Sequence, residues 1–232
     1  MFIEDKYQDK NGSYYHTYKN GIAKYPAFLD DYTYFVEACI HLQEITSDEK
    51  YLYKAQKITS YIFQNFEDQQ SAFFFFTTKL QDDVVLRKLE IYDGATPSAN
   101  SIMAQNLIYL SLVYNNREWH QKALAMIDSL KAVIIKHPGS FGIWASTALN
   151  IAAGFNEITI TGNAIRPAIN KMLLEYLPNK ILQPSFNISN MILSQDKPIL
   201  KELSIYLCWN FACTAPLKNT QELMAEIQLQ SF

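Results

Sequence analysis

Three cysteines, seven glycines and four histidines are all that occur in 232 residues, and no stretch gathers lysine and arginine. Each scarcity excludes something. A formal charge of −3 without a basic cluster argues against nucleic acid or an anionic membrane as the main partner, since both demand concentrated positive charge. The longest apolar run, 141–155, is shorter than the roughly 20 residues of a membrane span. It also carries Ser146, Thr147 and Asn150. The opening MFIEDKYQDK is polar and acidic, unlike a secretion signal. The expectation is a soluble, cytoplasmic protein.

The few cysteines fit a reducing compartment. Cys39 reads as core filler on an apolar helical face. Cys208 and Cys213 form a C-x4-C pair that reads as two thiols, with a redox or metal role as the alternative. Structural zinc would want four ligands, and no His or Cys pair lies nearby to complete the set. No histidine pair has metal-ligand spacing, and no serine or cysteine stands in a nucleophile context. Thr161-Gly162-Asn163 supplies one glycine where a phosphate cradle wants several. No cofactor is implied. His16, Trp119 and His120 read as surface or packing residues.

What is present is apolar: 49% of residues are hydrophobic and 19% charged, which supports a large core and argues against disorder. In 29–45, Leu29, Tyr32, Phe35, Val36, Cys39, Ile40 and Ile45 recur at helical spacing. Asp30, Tyr34, Glu37, His41 and Glu44 occupy the opposite side. A helix over 49–66 follows so closely that the two must run antiparallel. Phe73–Phe76 suits a short strand, within a β-hairpin insertion or a long, partly extended loop, and reads as a buried aromatic plug. A second pair is predicted over 97–114 and 118–136, then a small-residue helix over 140–153. After Gly154, strands at 157–161, 180–182 and 204–208 alternate with helices at about 164–177 and 220–228. The predicted organisation is a helical unit over 1–155 and a small α/β appendage over 156–232.

Two places carry candidate chemistry. Asp30-Asp31 stands at a helix start, where unpaired N–H groups and the dipole stabilise acids; alternatively, one carboxylate caps while the other points into a cavity. In IYDGATPSANS, 91–101, Thr96 is placed as N-cap and Pro97 as the first helical residue. Glu90, Asp93, Ser98 and Asn100 exceed what a cap requires. Ser98, Ser101 and Gln105 share a face that should meet water or a polar partner.

Taken in order, LDDYTYFVEACIHLQEIT, AFFFFTT, IYDGATPSANSIMAQNL, NEITITG and YLCWNFACTAP resemble the C-terminal part of thioredoxin-domain-containing proteins related to spermatogenesis-associated protein 20. The likeness covers about 20–220. Ser71-Ala72 and Ala99 stand where that pattern has glycines. The resemblance implies an (α/α) toroid of the six-hairpin glycosidase-like kind, similar to N-acylglucosamine 2-epimerases, here as a partial toroid. Such proteins normally carry a thioredoxin-like domain and the first half of the toroid before the matched region. Half a toroid would expose an apolar wall. The expectation is therefore a homo-oligomer, or a separate chain that supplies the N-terminal half.

Two functions follow as expectations. In a carbohydrate-active enzyme, epimerase or glycosidase-like, Asp30, Asp31, Glu90 and Asp93 would act as acid–base or hydroxyl-binding groups. Ser98 and Asn100 would then orient a carbohydrate ligand, with Tyr32 as its aromatic platform. The alternative is a non-catalytic scaffold that pairs with a thioredoxin-like domain or with the separate half.

Overall fold

The computed structural model describes residues 2–186, 191, 193–195, 197–198, 201–210 and 212–230. A short helix α1 (Phe2–Tyr7) leads into a hairpin of β1 (Tyr15–Lys19) and β2 (Ile22–Pro26). Asn20 and Gly21 turn the hairpin, both at positive φ (52° and 80°), as a two-residue turn of matching twist demands.

The helical pairs follow the apolar spacing closely. α2 (Leu29–Thr46) and α3 (Lys50–Phe66) pack antiparallel. Ser47 ends α2 in the left-handed region, and the Asp48 side chain accepts the Lys50 amide. α4 (Ala99–Tyr114) and α5 (Arg117–Lys136) form the second pair. Asn115 closes α4, and Asn116 caps α5 by accepting the Trp119 amide at 3.1 Å. A 3-10 turn (Pro138–Ser140) precedes α6 (Gly142–Ala153). α4 is apolar on nearly every side, as a helix enclosed by others must be. It packs on α2, α5 and α6.

Between the two pairs, residues 67–98 contain no regular strand. Two isolated antiparallel bridges, Glu67 with Phe74 and Phe75 with Leu89, hold the phenylalanine run. Phe73 and Phe74 are buried and Phe75 and Phe76 half-buried, so the partly extended loop is the form adopted. Trp144, fully buried, packs edge-on to Phe73.

The rest of the chain forms a four-stranded sheet in the order β4 (Lys180–Pro184), β3 (Asn156–Thr161), β5 (Ser204–Trp209), β6 (Ala212–Cys213). β3 and β4 are parallel, joined through α7 (Ile165–Met172), and the other pairings are antiparallel. α8 (Thr220–Gln230) lies against β5 and α7. The protein is thus mainly helical with small sheets. Ile158, Ile160, Leu207, Ile169 and Leu223 build a core for the sheet layer. Ile181, Met191 and Leu193 belong instead to the helical core. Tyr109 Oη donates to the Leu182 carbonyl at 3.0 Å, and Gln183 Nε2 to Gln43 at 3.3 Å.

The two thiols expected at the end of the chain are one disulfide. Cys208 and Cys213 are directly opposed across β5 and β6 and are bonded, because that register places them side by side. Cys39 is free and buried, and burial pushes its thiol up to about 11.

Candidate functional site

The loop before α4 turns its surplus polar residues inward. Asp93 is buried, and one carboxylate oxygen accepts the Ser98 amide at 2.9 Å and Ser101 Oγ at 2.6 Å. The other accepts the Ile143 amide at 3.0 Å. One carboxylate therefore serves the N-terminal ends of both α4 and α6, where partial positive charge favours an anion. Ser98, not Thr96, is the N-cap: its Oγ accepts the Ser101 amide at 3.1 Å. The physical reason is the Asp93 bond to the Ser98 amide, which delays helix entry past Pro97. Ser98 and Ser101 are buried, so of water and a polar partner it is the polar partner that this face meets, and that partner is Asp93.

Asn100, 1% exposed, acts on the other side of the same knot. Its Oδ1 accepts the Phe74 amide at 2.8 Å, and its Nδ2 donates to the Phe74 and Glu90 carbonyls, both at 2.9 Å. An asparagine amide can stand in for a strand partner, since it offers donor and acceptor together. Trp144 Nε1 adds a bond to the Ile91 carbonyl at 2.8 Å. The Glu90 residue itself is exposed.

At the start of α2 the two acids diverge. Asp31 Oδ2 accepts the Phe28 amide at 2.9 Å, which caps the helix, and also lies 2.8 Å from His16 Nδ1 on β1. Both residues line a cleft of about 330 Å³, walled by Phe2, Ile3 and Tyr7 of α1, by Tyr14, Tyr15 and by Phe35. Tyr32 lines it too, but only 3% of it is exposed; its ring stacks on Tyr61 and its Oη accepts the Tyr14 amide at 2.9 Å. It is a core ring, not an open platform. His16, Tyr15, Tyr7 and Phe2 are additions that spacing did not single out. The signal for β1 was present in the alternation ahead of Asn20-Gly21.

Asp30 belongs to a second set, one turn before Tyr34, with Glu37 and His41 following on the same side. Asp30 Oδ1 accepts the Asp31 amide at 3.0 Å, and Tyr34 Oη donates to the Pro97 carbonyl at 3.0 Å. Burial and the adjacent Asp31 charge lift the Asp30 carboxyl above its ordinary value, and burial lifts Tyr34 and Glu37. His41 is raised by its bond to Glu44, at 3.1 Å. Asp30, Tyr34 and Glu37 are half-buried and His41 is exposed; shifted titratable groups gathered in this way occur at functional sites and in structural ion-pair networks alike.

The predicted residues thus fall into two groups. Asp93, Ser98 and Asn100 are brought together in a knot that joins α4, α6 and the phenylalanine loop. Asp30, Asp31 and Tyr32 lie on α2; Asp31 and the largely buried Tyr32 line the cleft, and Asp31 meets His16 at its rim. Among the described residues no group of three or more His, Cys, Asp or Glu is arranged to hold a metal ion. No helix among them is long and apolar enough to cross a membrane.

No protein-family model matches the chain. Spermatogenesis-associated protein 20 of Mus musculus is 26% identical over 209 residues, covering 84% of this chain and 26% of its own length. The Homo sapiens protein of the same name aligns with the same identity and coverage. An uncharacterized protein of Caenorhabditis elegans is 27% identical over 213 residues, 28% of its length. The chain spans about a quarter of the length of the curated relatives it matches. Over most of its own length, the chain is similar to spermatogenesis-associated protein 20.

Proposed function

We propose that the chain is part of an (α/α) toroid related to carbohydrate-active enzymes, and that the cleft between α1, β1 and α2 holds a sugar-like ligand. The observation that carries this reading is the Asp31–His16 pair, 2.8 Å apart at the rim of an aromatic-lined cleft of about 330 Å³. A carboxylate fixed by a helix amide and an imidazole can accept paired sugar hydroxyls. Aromatic walls offer the apolar faces on which a pyranose ring packs, and the volume suits a monosaccharide. His16, oriented by Asp31, is the group best placed to move a proton. The order of packing supports the toroid: α2, α4 and α6 lie side by side, with α3 behind α2 and α5 behind α4.

A monosaccharide and disaccharide panel tests the proposal by thermal shift and crystal soaking. The expected result is a rise in melting temperature that Asp31→Asn and His16→Ala each abolish. No shift from any sugar, or a shift indifferent to both substitutions, removes the basis for the reading.

One observation favours the scaffold alternative. The polar atoms of Asp93, Ser98 and Asn100 are taken up by the fold's own hydrogen bonds, which leaves those three side chains no chemistry to offer. Under this reading Asp31→Asn leaves all partner binding intact, and a pull-down with a recombinant thioredoxin-like domain retains the chain.

A further inference from the structure

Away from that cleft, α5 and α6 border a groove of about 480 Å³ lined by Leu124, Ile127, Asp128, Lys131, Ile135 and Ala148, among others. Its apolar groups are not tucked away: Ile135 is 73% exposed and Leu124 37%. α5 carries two stripes. Ala123, Met126, Leu130 and Ile134 face the core. Leu124, Asp128, Lys131 and Ile135 form the second, at the alternating four- and three-residue steps of a helix–helix seam. Neither Asp128 nor Lys131 makes an ion pair among the described residues.

The second stripe is a palindrome of chemistry. Leu124 precedes Asp128 by the same four residues by which Ile135 follows Lys131. An identical helix running antiparallel across it, about a two-fold axis between Asp128 and Lys131, would set each acid against a base. It would also set each Leu124 against Ile135. We infer that this stripe is the interface of a two-fold homodimer, with α5 of a second copy in the groove. Self-complementarity of this kind is what an isologous contact requires. An antiparallel helix of unrelated sequence would satisfy it only by carrying, along its own chain, the same acid three residues before a base, with apolar residues four positions outside each. The two central ion pairs, bracketed by apolar contacts, set register and direction, because like charges in that position repel.

Sedimentation equilibrium over a concentration series on the whole chain reads the outcome. The native chain is expected to dimerise. Asp128→Lys or Lys131→Asp alone should weaken dimerisation by about tenfold or more, and the double exchange should restore it. A native chain that stays monomeric overturns the inference. So does a dimer indifferent to either reversal, or one that the double exchange does not recover. Cross-linking supplies a check independent of charge. Leu124→Cys and Ile135→Cys variants should form an intermolecular disulfide when mixed and not separately. Equal cross-linking within either variant alone overturns the two-fold arrangement.

Discussion

Ser101 Oγ lies 2.6 Å from the same Asp93 carboxylate whose other oxygen holds the Ile143 amide at 3.0 Å. Two helix starts separated by more than 40 residues thereby share one anion. Removing it leaves buried donors unsatisfied at both. Asp93→Ala should therefore cost about 3 kcal/mol of stability, in the range for losing charge-assisted bonds in the interior. Urea unfolding measures this. A loss below about 0.5 kcal/mol, typical of surface changes, would contradict the assignment.

Asn100 predicts a more local effect. Asn100→Ala removes three bonds that hold Phe74 and the Glu90 carbonyl, at an expected cost of about 2 kcal/mol. Hydrogen exchange should quicken at the Phe74 amide and along its loop before it changes in α3 or α5. Uniform acceleration across all helices would show that the side chain does not act through that loop.

The α2 stripe gives stability a sign in pH. Asp30, Glu37 and His41 are all raised above their ordinary values of 3.8, 4.5 and 6.5. A group raised on folding contributes stability that is complete below its unfolded value and lost as pH rises through its folded one. Stability from these three residues should thus fall in steps, above 3.8 for Asp30, above 4.5 for Glu37 and above 6.5 for His41. Glu37→Gln should flatten the second step, and NMR titration should place the His41 midpoint above 6.5. A midpoint below 6.5 would refute the Glu44 pairing as its dominant influence.

Cysteine chemistry separates by burial. Cys213 is exposed in its bonded hairpin, while Cys39 is buried with its thiol pushed up to about 11. After mild reduction, alkylation of the folded chain should reach Cys213 and spare Cys39, since the thiolate is the reactive form. Peptide mass mapping reads the result, and rapid labelling of Cys39 in the folded state would contradict the packing of α2.

Much of the helical layer was legible because its signals are local. The spacing of Leu29, Tyr32, Phe35, Val36 and Cys39 marks α2 within about a residue, and the same holds for α3 and α5. Asn20-Gly21 was an equally local signal, and passing over it concealed the hairpin that supplies His16. Asp93 is different. Its third donor, Ile143, lies 50 residues on, and no spacing rule links an acid in a loop to the first turn of a helix so distant. The Cys208–Cys213 bond was hidden for a related reason: it depends on β5 and β6 turning back in register, which a C-x4-C count does not specify. The cleft was harder still, since α1, β1 and α2 each contribute only a part of its wall.

The bonds from Tyr109 and Gln183 across the join between helices and sheet have a practical consequence. Tyr109 Oη lies within hydrogen-bond reach of both the Leu182 carbonyl and Glu44 Oε1, and Gln43 is buried against Gln183. A truncation after residue 155 would strip partners from Tyr109 and Gln43 and bare Ile181's place in the helical core. Anyone subcloning this protein at its compositional break would thus be cutting through a weld, and expression of the helical piece alone should yield more aggregate than expression of the whole chain.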